Sequence, residues 1–76
     1  MITLTHFRGL KIRVNPAHVA ALIPEGVLKA DGAQIDSQTK CAVVLASGIA
    51  YHVRETVAVI SAVLDGADDG KVAAND

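Results

Sequence analysis

The chain has 76 residues, of which 51% are hydrophobic and 20% charged, and its formal net charge is −1. This length allows one domain with a modest core, which benefits from a covalent staple or from oligomerisation. Cys41 is the single cysteine, so an internal disulfide is excluded, and no cysteine and histidine spacing predicts a metal site. Membrane insertion is not expected, because no apolar run approaches the roughly 20 residues that span a bilayer. An unpaired cysteine in an apolar run without a secretory signal predicts a cytoplasmic protein.

The N-terminal segment has the alternation of a β-hairpin. Apolar and polar residues alternate over 2–7 and again over 10–14, and Arg8-Gly9 between them is a tight-turn signal. In the second strand the alternation places Lys11 and Arg13 on the face opposite the apolar residues. Both side chains are therefore expected to face water.

A third strand follows and leads into the segment that is hardest to interpret. Asn15-Pro16 ends the hairpin, and residues 19–23 form an apolar strand that stops at a proline. Residues 24–40 are predicted to form a long loop, because Glu25-Gly26 and Asp31-Gly32 are turn signals. The apolar residues of this loop predict that it either caps an open end of the sheet or contacts a neighbouring subunit.

The fourth and fifth strands form a second predicted hairpin. Residues 40–46 are apolar at almost every position, which is typical of a strand covered on both faces. One small sheet with one helix covers a single face, so the face that carries Val44 is expected to meet another subunit. Ser47-Gly48 is the turn, and the alternation of residues 49–54 predicts the fifth strand.

The last predicted element is a helix over residues 57–64, with continuation as a strand as the alternative. Its apolar residues, including Val59 and Val63, cover an arc of about 160°, wider than one core contact requires. We therefore expect Val59 and Val63 to join Val44 in a homo-oligomer interface. Gly66 is a good helix stop, so residues 1–66 are predicted to form one domain and residues 67–76 a disordered acidic tail.

Together these elements predict a mainly β fold: a small antiparallel sheet or partly open barrel of about five strands with one C-terminal helix. Several of its residues also match a known pattern, in which a hairpin, an asparagine bend, a strand, a Leu-x-x-Gly-x-x-Tyr-x-Val hairpin and a helix after Glu-Thr follow one another. The matching positions are Leu4, Gly9, Val14, Asn15, Val19, Leu45, Gly48, Tyr51, Val53, Glu55 and Thr56. In these residues the chain resembles the small flagellar proteins of the FlbD family. The resemblance covers roughly residues 2–23 and 43–64, whereas residues 24–40 are longer than the pattern needs.

No group of residues in the sequence predicts catalysis. No two of the three histidines share a spacing that would let them ligate one metal ion, and no phosphate-binding loop precedes a helix. Cys41 lies among strand alanines and valines, where a cysteine acts as a small hydrophobic residue. Neither a catalytic residue nor a metal ion nor a cofactor is therefore expected.

The best candidate for a binding site is a group of cations, called here the basic strip. Lys11 and Arg13 lie on the outer face of the second strand, and His52 and Arg54 on the outer face of the fifth. If these strands are neighbours, the strip can bind an anion, helped by the free amides of the helix that starts at Thr56. The alternative interpretation of the same cations is a solvated face. Nucleic-acid binding is disfavoured, because one Phe and one Tyr make no stacking platform.

The sequence therefore predicts a non-enzymatic binding or adaptor protein that works as a homo-oligomer. The FlbD resemblance implies an accessory role in bacterial flagellar motility. The alternative is a phage- or prophage-encoded protein that binds a host protein or a small anionic ligand such as a nucleotide, in host takeover or counter-defence.

Overall fold

The computed structural model describes the backbone of residues 1–75 and the side chains of residues 1–66. The described residues form five strands: β1 (Ile2–Thr5), β2 (Lys11–Val14), β3 (Val19–Pro24), β4 (Cys41–Leu45) and β5 (Ala50–Val53). They also form two α-helices, α1 (Glu25–Ala30) and α2 (Val57–Asn75), and a 3₁₀ turn at Pro16–His18.

The strands form two small antiparallel sheets. β1 and β2 make one hairpin, in which Ile2 lies opposite Val14, and the second sheet has the order β3-β4-β5. Gly9 and Gly48 have φ angles of 94° and 93°, and these left-handed conformations let the chain turn between β1 and β2 and between β4 and β5. The predicted mainly β class with about five antiparallel strands is confirmed, and the sheets do not close into a barrel.

The core lies between the inner faces of the two sheets and the buried face of α2. Its buried hydrophobic side chains are Ile2, Leu4, Val14, Cys41, Val43, Val53 and Ile60. The inward positions of β1, β2 and β4 are those that the period of two predicts. Both sheets and the helix therefore contribute to one core.

Residues 24–40 were expected to form a long loop, and the structure corrects this expectation with helix α1. Glu25 supports the first turn by its negative charge, and its carboxylate lies 3.6 Å from the ammonium group of Lys29 one turn later. Gly26 is tolerated because a single helical glycine costs only about 1 kcal/mol. The turn signal at Asp31-Gly32 does end the helix, and Gly32 has a φ of 82°.

Helix α2 begins where the sequence predicts, but its backbone continues past the predicted stop at Gly66 to Asn75. The Thr56 hydroxyl accepts a hydrogen bond from the Val59 amide at 3.3 Å, and the Thr56 carbonyl accepts one from the Ile60 amide at 3.0 Å. The alternative of a strand over these residues is therefore wrong. The predicted disordered tail, residues 67–76, lies outside the residues whose side chains are described.

Candidate functional site

The two sheets are joined where β1 ends and β5 ends. The Arg54 amide donates to the Thr5 carbonyl at 2.8 Å, and the Phe7 amide donates to the His52 carbonyl at 3.0 Å. Between these bonds His6 and Val53 form an isolated antiparallel bridge. The strands thus follow one another in the order β2-β1-β5-β4-β3, which determines how the basic strip is arranged.

The strip had been expected to require β2 and β5 as neighbours, but β1 lies between them. The register places Lys11 opposite Thr5, and extending the His6–Val53 bridge by one residue places Arg54 on the other side of Thr5. Lys11 and Arg54 are therefore the outer members of one row across three strands. Adjacent strands are about 4.8 Å apart, so the row spans roughly 10 Å.

Arg54 is held in place over the turn between β1 and β2. Its Nε donates to the Phe7 carbonyl at 3.0 Å. Its Nη2 lies 3.5 Å from the position that a Cβ on Gly9 would occupy, so the guanidinium lies against the glycine backbone. This side chain is exposed yet oriented, which lowers the entropy that it would lose on binding an anion.

The other members of the strip have different environments. Lys11 donates from Nζ to the Thr5 hydroxyl at 3.0 Å, and exposed Arg13 lies two residues along the same face of β2. His52 is half-buried, with its ring centroid 6.3 Å from that of Phe7. The Thr56 hydroxyl already caps helix α2. The structure therefore places Lys11 and Arg54 in one row and Arg13 next to Lys11 on β2, whereas His52 is half-buried and Thr56 caps helix α2.

A further cation on this surface was not recognised as part of the strip in the sequence. Arg8 lies in the turn between β1 and β2, and its guanidinium carbon is 5.5 Å from the centroid of the Phe7 ring, at cation–π distance. The position of Arg8 beside the turn glycine was the available signal. We call the group of Arg8, Lys11, Arg13 and Arg54 the cationic face.

The cationic face forms no ion pair with the side chains of residues 1–66. Within residues 1–66, no carboxylate oxygen lies within 4.0 Å of its cationic nitrogens, and the ion pairs found there join Lys29 and Lys40 to Glu25. The Glu55 carboxylate lies beside this face without forming an ion pair with it, since its two oxygens accept the Thr5 amide at 2.8 and 3.0 Å. Among the side chains of residues 1–66, the four cations therefore have no ion-pair partner and are open to an anionic ligand.

The contact of Glu55 was missed in the sequence, where it was assigned only to the start of the helix. The Glu55 carboxylate accepts the hydrogen bonds of the Thr5 amide, at a position where β5 has already ended. No local pattern marks this role, because the partner amide lies 50 residues away in the chain.

The structure also shows the environment of the buried thiol. Cys41 is fully buried, and burial raises the pKa of its thiol, while a backbone hydrogen bond from Ile23 acts in the opposite direction. A buried thiol with a raised pKa is a poor nucleophile.

The described part of the chain shows no cluster of metal ligands and no membrane-spanning helix. Within it, no group of three or more His, Cys, Asp or Glu residues could hold a metal ion. None of the helices in this part is long and apolar enough to cross a membrane. A cleft of about 380 Å³ lies near the far end of β4, lined by His18, Leu45, Ala46 and Ser47.

The residues predicted for a subunit interface lie on two separate surfaces. Val44 is half-buried on the outer face of the three-stranded sheet, where Ala21 and Ala50 flank it on the neighbouring strands. Val59 and Val63 are 50% and 42% exposed on α2. Both surfaces remain available to a partner.

Comparison of the chain with protein-family models, with curated proteins and with solved structures gives no match in any of the three.

Proposed function

We propose that this protein is a non-enzymatic, cytoplasmic, homo-oligomeric binding module whose cationic face binds an acidic segment of a partner protein. The observation that carries the proposal is the absence, within residues 1–66, of any carboxylate within 4.0 Å of the four cations. Arg54 is already held in one orientation by Phe7, which favours formation of charge-assisted hydrogen bonds to a carboxylate.

An extended acidic segment fits this surface better than a small anion does. Lys11 and Arg54 stand at the two ends of a row across three strands, and the cleft described above is lined by other residues. A nucleotide carries its negative charge on its phosphate groups alone, at one end of the molecule. A chain with several carboxylates could contact both ends of the row.

The same surface disfavours nucleic acid. Phe7 is the aromatic side chain nearest the cationic face, and its ring is already in contact with neighbours. His6 lies 4.4 Å from it between ring centroids, and Arg8 lies over it. A base therefore has little open aromatic surface on which to stack.

The biological setting of the proposal comes from the FlbD resemblance, which suggests an accessory protein of bacterial flagellar motility. The alternative setting is a phage or prophage gene whose product binds a host protein. Flagellar motor genes beside the coding sequence would support the first, and head, tail or lysogeny genes would support the second.

The binding proposal is tested by fluorescence anisotropy with a labelled deca-glutamate peptide at low salt, with ATP as a second probe. Arg54→Ala should weaken peptide binding by tenfold or more, because a hydrogen bond to a charged group contributes about 1.5–3 kcal/mol. Lys11→Ala should weaken it as well. Lys29→Ala is the matched control, since Lys29 lies on α1 and pairs with Glu25.

Circular dichroism should show the same fold for all three variants. Binding should fall as salt rises, because exposed charges are screened. Equal peptide affinities for the wild type, Arg54→Ala and Lys29→Ala would contradict the proposal. Tighter binding of ATP than of the peptide would favour the small anionic ligand instead.

A further inference from the structure

The two outer strands of the five-stranded order differ in what they expose. β2 is one outer strand, and it carries Lys11 and Arg13, charges that discourage the pairing of another strand. β3 is the other, and from Val19 to Ile23 it has no charged side chain. Within the described residues β3 pairs with β4 alone, so its second edge has no strand beside it.

The hydrogen bonds show which groups this open edge presents. The Glu25 amide donates to the Lys40 carbonyl at 3.2 Å, so this amide points toward β4. Alternation along an antiparallel strand then directs Ile23 toward β4 and Leu22 away from it. Pro24 also points away, so its missing N–H removes no bond to β4. The open edge presents the N–H and C=O of Leu22 and the C=O of Pro24.

From this arrangement we infer that a second copy of the chain pairs with β3 along its open edge, antiparallel and centred on Leu22. This inference deepens the oligomeric part of the proposed function by naming the contact. A two-fold axis at Leu22 lets the two Leu22 residues exchange two N–H to C=O hydrogen bonds. The register of β3 shifts between Val19 and Ala21, so regular pairing with the second copy extends over Ala21, Leu22 and Ile23.

The side chains in this register are compatible with one another. Ala21 lies opposite the partner's Ile23 on the outer face, and the two Leu22 side chains meet on the inner face. Glu25, the nearest charged residue, begins helix α1 beyond the paired residues, so no like charges face each other in the pairing. The pairing satisfies open backbone groups on both copies and joins the two outer faces into one apolar surface that includes Val44.

Two exposed alanines on one face of the sheet provide a matched pair of variants to test the contact between the two β3 strands, called here the seam. Ala21 and Ala50 are both exposed, and they flank Val44 on the same face of the sheet. Ala21 lies on β3, at the inferred seam, and Ala50 lies on β5, two strands away from it. Ala21→Lys and Ala50→Lys thus place the same charge on the same face at different distances from the seam.

Light scattering at 20 µM should give a mass of two 7.9-kDa chains for the wild type and for Ala50→Lys, and of one chain for Ala21→Lys. Dissociation by both variants would overturn the inference and indicate face-to-face stacking. A monomeric wild type or a dimeric Ala21→Lys would also overturn it. A mass above two chains would overturn it as well, because β3 would then be pairing with a different strand edge of the next copy.

Hydrogen–deuterium exchange on the wild type tests the same contact without a variant and stands even if Ala21→Lys fails to fold. The Leu22 amide should be protected at 20 µM and should lose at least tenfold of that protection on dilution into the monomer range, while the Ile23 amide should change little. A Leu22 amide that exchanges rapidly at both concentrations would refute the seam. Neither result bears on peptide binding, which uses the cationic face.

Discussion

Removal of the Glu55 carboxylate tests how the two sheets are held together. In Glu55→Ala the Thr5 amide loses an acceptor whose oxygens lie at 2.8 and 3.0 Å, in a partly buried position. A hydrogen bond to a charged group contributes about 1.5–3 kcal/mol, and partial exposure places this one near the lower end. Loss of a negative charge beside the N-terminus of α2 adds about 0.3–1 kcal/mol.

We therefore expect Glu55→Ala to lower the free energy of unfolding by about 2 kcal/mol. For a domain of this size that corresponds to a fall in Tm of roughly 8–16 °C. Glu55→Gln keeps one oxygen acceptor without the charge, so its loss should be smaller by about 1 kcal/mol. Urea unfolding followed by circular dichroism measures both changes, at one protein concentration because assembly contributes to stability.

Glu25→Ala provides the control, since it also removes one glutamate carboxylate. Glu25 makes only partly exposed ion pairs, at 3.6 Å to Lys29 and 4.0 Å to Lys40, and such pairs contribute about 0–1 kcal/mol. Equal losses for Glu55→Ala and Glu25→Ala would refute the reasoning. They would show that the carboxylate of Glu55 does not join the sheets.

Two further predictions concern the turn glycine and the buried thiol. Gly9→Ala should destabilise by about 1–2 kcal/mol, because φ at Gly9 is 94°, whereas Gly26→Ala, in a helix with open space, should stabilise by about 0.5–1 kcal/mol. Thermal melts that shift in the same direction for both variants would contradict this. The raised pKa of Cys41 means that the native state keeps its proton longer than the unfolded chain does, so stability should fall as pH rises above the ordinary value of 9.0. Urea midpoints at pH 8 and pH 10 should differ more for the wild type than for Cys41→Ala; equal differences would remove the thiol as the cause.

The sequence by itself determined the local elements that short-range chemistry controls. Alternation with a period of two marks inward and outward positions of β2 and β5, the turn glycines mark both hairpins, and Thr56 marks the start of α2. Each of these signals acts within about four residues, so the chain carries them before any tertiary contact forms. The exception is α1, because the turn signal at Glu25-Gly26 lies inside its first helical turn.

Only the tertiary structure decided which strands are neighbours and therefore what the candidate site contains. The placement of β1 between β2 and β5 puts Lys11 and Arg54 at the two ends of a row across three strands and brings the Glu55 carboxylate to Thr5. It also leaves β3 at the open edge. Strand order depends on contacts between residues far apart in the chain, such as the pair Thr5 and Glu55, and no local period encodes such contacts.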